Sequence, residues 1–142
     1  MKHGHSVVFV YGTLLSGMGN SYLLDKAEHL GPAKVPGLLY ASGIPFAKYG
    51  GTLEPDTIPF IEGELYKVDE VTLARLDRLE SYTPGKKADP NWYDRIEIDQ
   101  KDGMPVYMYH VEEPPRYAEH IPSGSYRRYR NEQLPQAVRS GS

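Results

Sequence analysis

Between residues 33 and 61 the chain carries eight glycines and prolines: Pro36, Gly37, Gly43, Pro45, Gly50, Gly51, Pro55 and Pro59. A helix tolerates neither residue well in its interior, because glycine loses too much backbone freedom and proline lacks the amide hydrogen. That spacing therefore predicts short strands and loops across the segment, and any sheet it joins must recruit strands from both sides of it. Upstream, Ser6-Val-Val-Phe-Val-Tyr11 is β-branched and aromatic on both alternating faces, the pattern of a central strand buried on both sides. Downstream, Ile61–Val68 reads as another strand interrupted by Gly63, and Arg95–Asp99 alternates with Ile96 and Ile98 on one face. Lys101-Asp102-Gly103 then makes a turn into a strand from Met104 to Val111, forming a hairpin. Helices are expected over residues 20–30, capped by Asn20 or Ser21 and stopped by Gly31-Pro32, and over residues 70–82, capped by Asp69 and stopped by Pro84-Gly85. The tail from Pro114 is rich in proline, glycine and arginine and reads as irregular. Five or six short strands with two helices fit an α+β domain whose sheet is strongly curved or mostly closed.

The chain has 142 residues, the length of one domain, and no cysteine, so a disulfide scaffold, a thiolate nucleophile and a cysteine-ligated zinc are excluded. Net charge is −3, which provides no general attraction to nucleic acid or anionic membrane. Tyr126-Arg-Arg-Tyr-Arg130 interleaves aromatics with cations as stacking surfaces do, but the run is short, and a solvated face or subunit contact competes with that reading. The apolar run Val7–Tyr11 is too short to span a membrane and has no cleavage pattern after it, so a cytoplasmic location is expected. His3 and His5 lie near the terminus, His29, His110 and His120 are scattered, and no HExxH spacing occurs, so no metal is expected. GxSxG is also missing. Tyrosine, with 12 copies against 3 Phe and 1 Trp, suits either a pocket lined by hydroxyls or a tyrosine-rich core and surface.

Two features carry chemistry. On a helical wheel of 3.6 residues per turn, Glu80 falls between Leu73 and Leu76, while Arg75 and Arg78 fall opposite. A carboxylate turned toward a core is desolvated, its pKa rises, and it can then accept and return a proton near neutral pH. The alternative is structural: a side chain in a last turn can tilt into water, bond a backbone amide or pair with an arginine. The second feature is Tyr11-Gly12-Thr13-Leu14, a glycine turn directly after a buried strand. Successive amides in such a turn can form an anion cradle, and Thr13 adds a hydroxyl; glycine also ends many strands for steric reasons alone.

Six segments in order resemble the gamma-glutamylcyclotransferase-like family: Val8-Phe-Val-Tyr-Gly-Thr-Leu-Leu15, Glu62-Gly-Glu-Leu-Tyr66, Leu76-Asp-Arg-Leu-Glu-Ser-Tyr82, Trp92-Tyr-Asp-Arg-Ile-Glu-Ile98, Val106-Tyr-Met-Tyr109 and Ile121-Pro-Ser-Gly-Ser-Tyr126. Ser81 departs from the family's usual glycine and Tyr126 from its frequent tryptophan, and the segment from Thr83 to Asn91 is long and polar. The resemblance implies a small mixed β-barrel flanked by helices, a single domain over residues 1–142. It implies Glu80 as the catalytic residue, with Tyr11, Gly12, Thr13 and Leu14 holding a gamma-glutamyl substrate that cyclises to 5-oxoproline and releases an amine. Tyr93 is a candidate for shaping the pocket, and Tyr107 and Tyr109 either line the cavity or fill the core. No cofactor or metal is implied, and the partner is a small molecule rather than nucleic acid or membrane. The leaving amine and the oligomeric state are not readable, and a non-catalytic binding module on the same fold is the alternative.

Overall fold

The structure, a computed structural model, describes residues 5–50, 59–83 and 92–133. Strand β1 (His5–Val10) lies at the centre of the sheet. It runs antiparallel to β4 (Phe60–Asp69) from His5 opposite Asp69 to Val10 opposite Glu64, and parallel to β6 (Met104–His110) from Val7 opposite Val106. The full order is β3-β2-β4-β1-β6-β5, with β2 (Glu28–Ser42), β3 (Ile44–Tyr49) and β5 (Asp94–Lys101), and a two-residue β7 (Glu119–His120) pairing β2. Val7, Val8, Phe9 and Val10 are all buried, as a strand covered on both faces must be. Val8 and Val10 join one apolar cluster with Leu76 and Tyr93, and Phe9 joins another with Leu39, Ile61 and Tyr126.

The sheet curls until its far strands meet. The Val111 amide donates to the Ala47 carbonyl at 2.8 Å, bringing the chain after β6 against β3. The result is a mixed sheet curled into a half-barrel with two α-helices, which bears out the α+β barrel expected from the sequence.

Local signals hold where they are strong. Helix α1 (Glu70–Leu79) starts at Asp69, whose carboxylate accepts the Thr72 amide at 2.7 Å. It stops earlier than the expected residue 82. Ser81 takes a left-handed φ of 58°, its amide returns to the Arg78 carbonyl at 3.1 Å, and the Tyr82 amide returns to Asp77 at 2.8 Å. This paired reversal closes the helix before Pro84-Gly85, which lie outside the described residues. The β5–β6 hairpin turns on Asp102 and Gly103, both at positive φ (52° and 81°), the two-residue turn whose twist matches paired strands.

Two expectations fail. Residues 20–30 are not a helix: Ser21–Leu24 form one 3-10 turn and β2 begins at Glu28. The Asn20 side chain does not cap; it donates to the Thr13 hydroxyl at 2.8 Å. Residues 28–36 pair instead with β4, passing a register shift between His29 and Gly31. Long-range strand pairing here outweighs a weak local helical pattern. Nor is the tail irregular throughout. It contains β7 and α2 (Tyr126–Gln133), whose Tyr126 is wholly buried and donates to the Gly43 carbonyl at 2.8 Å. Its ring faces the core and is closed to base stacking. Among the described residues no helix is long and apolar enough to cross a membrane.

Candidate active site

One cavity of about 260 Å³ opens between the end of β1, the start of β3, the end of α1 and the approach to β5. Tyr11, Gly12, Thr13, Leu14, Glu80 and Tyr93, the six residues singled out in the sequence, all line it.

The turn after β1 is built tightly. The Leu15 amide returns to the Gly12 carbonyl at 3.0 Å, and the Asn20 amide donates to the Thr13 carbonyl at 2.9 Å. Both carbonyls are thereby turned into the chain. The amides of Thr13 and Leu14 have no acceptor among the described residues, as groups able to receive an anion would not. Gly12 is needed for the steric one of the two reasons that the sequence left open. Its φ is not positive; a Cβ there would lie 2.4 Å from Pro45 Cγ, so glycine is required by the close approach of β3. Thr13 accepts the Asn20 amide nitrogen's bond at its hydroxyl, which leaves its own proton to donate elsewhere. The Leu14 side chain is buried in the core, so its contribution to the cavity is mainly its backbone.

Glu80 is the residue that ends α1, with its amide returning to Leu76 at 3.0 Å. The residue is half-buried and lines the cavity. Among the described residues no hydrogen bond or ion pair reaches its carboxylate. Burial pushes the carboxyl up from the ordinary 4.5 to about 7. The surrounding phenols move the other way in usefulness: burial, with the Glu80 charge adding to each, holds Tyr11, Tyr93 and Tyr109 well above the ordinary value, so they remain protonated. Their protons are spoken for. Tyr11 donates to the Tyr109 carbonyl at 2.6 Å, Tyr93 donates to the Pro45 carbonyl, and Tyr109 donates to Asp77 at 2.6 Å. Tyr93 also stacks on Phe46 with centroids 5.7 Å apart. These tyrosines therefore stiffen the wall, and among the described lining residues Glu80 is the group free to exchange a proton near neutrality.

Sequence reasoning passed over several neighbours. Asn20, assigned there to a helix cap, holds Thr13 and lines the cavity. Of the two tyrosines that the sequence left open between cavity and core, Tyr109 lines the cavity, whereas Tyr107 lies under the Arg95 guanidinium, 4.5 Å from ring centroid to charge. Trp92 donates from its indole nitrogen to the Glu80 carbonyl at 3.1 Å. Leu79 is 37% exposed at the cavity and does not join the core with Leu76. Asp77, buried against Arg95, had a legible signal: the same helical wheel puts it on the arc of Leu73 and Glu80.

The gamma-glutamyl cyclotransferase, AIG2-like family model matches residues 8–128. The chain belongs to that family. It is 36% identical over 118 residues to a Drosophila melanogaster protein provisionally named a gamma-glutamylcyclotransferase, covering 72% of this chain and 67% of that one. It is 32% identical over 130 residues to a Methanocaldococcus jannaschii protein of the same provisional name, covering 87% and 97%. The gamma-L-glutamyl-butirosin B gamma-glutamyl cyclotransferase of Niallia circulans is 38% identical over 103 residues, 71% of this chain and 62% of that protein. In fold, an uncharacterised Pyrococcus horikoshii protein superposes with a TM-score of 0.68 at 24% identity, covering 89% and 94% of the two chains. A mouse AIG2-like protein superposes with a TM-score of 0.60 at 23% identity, covering 99% and 97%. The family is enzymatic.

Proposed function

We propose that the chain is a gamma-glutamylcyclotransferase acting on a small-molecule gamma-glutamyl amide. The observation that carries this reading is Glu80: a carboxyl with no hydrogen-bond or ion-pair partner among the described residues, titrating at about 7 in one cavity with the Tyr11–Leu14 turn. Family membership and likeness to the Niallia circulans enzyme support it.

The substrate's α-carboxylate sits on the Thr13 and Leu14 amides, which have no acceptor among the described residues, and backbone dipoles replace its water. Ionised Glu80 takes a proton from the α-ammonium, which frees a nucleophilic nitrogen. That nitrogen attacks the gamma-carbonyl of the same molecule, forming the ring C–N bond. As the tetrahedral adduct collapses, the amide C–N bond breaks and Glu80 returns its proton to the departing nitrogen. The re-ionised Glu80 then takes the second proton from the ring nitrogen and passes it to the amine, so that the α-nitrogen loses two protons in total and the leaving amine gains two and departs as an ammonium ion. No electrons are transferred. Holding both ends of the glutamyl chain in a folded pose removes much of the entropic barrier to cyclisation.

The test is release of 5-oxoproline over a panel of gamma-glutamyl amides by wild type and by Glu80→Gln. The amide keeps the shape but cannot shuttle the proton, so turnover should fall by roughly 10²-fold or more while the protein stays folded. Binding of gamma-glutamyl amides by both proteins without turnover by either identifies a binding module instead.

A further inference from the structure

The mouth of the cavity is apolar and exposed. Ile44, Leu79 and Trp92 are 45%, 37% and 39% exposed, and all three line the cavity. The described residues leave seven large hydrophobic side chains exposed in all, so three at one opening is a concentration, where scattered single ones would need no explanation. The rim is also held in place. Trp92 is tied to the Glu80 carbonyl at 3.1 Å and lies edge-on to Tyr93 with centroids 5.3 Å apart. Ile44 opens β3 directly after Gly43, whose carbonyl is fixed by Tyr126 at 2.8 Å.

Charge is as informative as apolarity. Among the described residues that line the cavity, Glu80 is the one acidic or basic side chain besides the phenols; no lysine, arginine or histidine stands there. Arg95, close by, is committed to Asp77 at 2.9 Å. The glutamyl head needs its α-nitrogen at Glu80 and its carboxylate on the turn amides, which leaves the mouth for the amine side of the scissile bond. A carboxylate carried on that amine would meet no cation among these residues. A second ammonium would lose its water against Ile44, Leu79 and Trp92 with no counter-charge among the described lining residues but the proton-transfer group itself. Desolvating a charge without a partner is unfavourable, whereas an apolar group gains by leaving water.

We infer that the leaving amine carries an uncharged apolar body, alkyl or aryl, seated against Ile44, Leu79 and Trp92. The inference rests on the cyclotransferase reading above and adds its substrate class. Hydrophobic pockets discriminate such groups by roughly 10–200-fold.

The experiment compares kcat/KM for 5-oxoproline release from gamma-glutamyl-isopentylamide and gamma-glutamyl-benzylamide with that from gamma-glutamyl-glycine and gamma-glutamyl-ε-lysine. Wild type should favour the apolar pair by about 10-fold or more. Ile44→Lys, at an exposed position, should lower turnover of the apolar amides and raise that of gamma-glutamyl-glycine, with an unchanged melting temperature. Equal turnover of both pairs, or preference for the charged pair, overturns the inference and leaves the cyclotransferase reading standing. Should no amide release 5-oxoproline, it is the reaction that is wrong, and calorimetric binding of the same four amides to wild type then decides on the rim. Tighter binding of the apolar pair upholds the apolar subsite, and equal or weaker binding overturns it.

Discussion

Asp77 and Arg95 meet at 2.9 Å with their side chains only 10% and 14% exposed, three residues before the carboxyl that titrates near neutrality. Both Asp77 oxygens take part: Arg95 reaches Oδ1 at 3.1 Å and Oδ2 at 2.9 Å, and the Tyr109 hydroxyl donates to Oδ1 at 2.6 Å. The guanidinium is covered by the rings of Tyr82 at 5.1 Å and Tyr107 at 4.5 Å. The last turn of α1 is thus fastened to β5 and β6, the strands that back the cavity. This fixes where Glu80 emerges.

Breaking this pair on one side leaves the other charge buried. Asp77→Ala should therefore cost about 3–5 kcal/mol, read from urea denaturation. Replacing both partners, Asp77→Leu with Arg95→Met, should recover much of that loss, because no unpaired charge remains. A double variant as unstable as Asp77→Ala would show that the ion pair does not organise this turn.

Glu80 should make stability depend on pH in a particular direction. Its folded carboxyl titrates at about 7, above the ordinary 4.5, so the native state binds the proton more tightly than the unfolded chain. Stability conferred by the protonated form is present below the unfolded value and is lost as pH rises through the window to about 7. Glu80→Gln should match wild type at pH 4, gain on it steadily across that window, and above it exceed wild type by about 2–3 kcal/mol. The rate of cyclisation runs opposite, since the base must be ionised: kcat/KM of wild type should rise through an apparent pKa near 7. Parallel melting curves for the two proteins from pH 4 to 8 would refute the burial of this carboxyl.

Ser81 holds a φ of 58° at an exposed position closing α1. A side chain costs roughly 1–2 kcal/mol in that conformation, and glycine avoids it while losing some of the gain to backbone entropy. Ser81→Gly should raise stability by about 0.5–1 kcal/mol, visible as a higher melting temperature. An unchanged or lower value would mean that the serine side chain compensates its own strain.

Gly12→Ala should do the reverse. Its methyl would lie 2.4 Å from Pro45 Cγ, so β3 or the turn must shift. Overpacking of this kind costs roughly 1–3 kcal/mol. Displacing the turn amides should also raise KM for a gamma-glutamyl amide more than it lowers kcat. A variant with wild-type stability and KM would show that the turn tolerates movement.

Elements set by short-range forces and elements set by long-range ones differ in how far the sequence reveals them. Asp69, the leucine spacing after it and the Lys101-Asp102-Gly103 turn act within a few residues, through a capped amide, one apolar stripe and a turn conformation. Helix α1 and the β5–β6 hairpin were therefore legible in the sequence alone. So was β1, because only a strand buried on both faces leaves Val7 to Val10 without a polar side. Residues 28–30, expected as the end of a helix, carried no such local strand signal, and they became strand because β4 offered a free edge. Tyr126 was drawn into the core from a polar, arginine-rich segment by packing against Phe9, Leu39 and Ile61, on strands far away in sequence. At the site, the helical wheel was enough to turn Glu80 away from the arginines. What it could not supply was the partner set: Arg95 for Asp77, Asn20 for Thr13, Pro45 against Gly12. Those contacts exist only after the sheet curls, because desolvation and close approach depend on which distant surfaces meet.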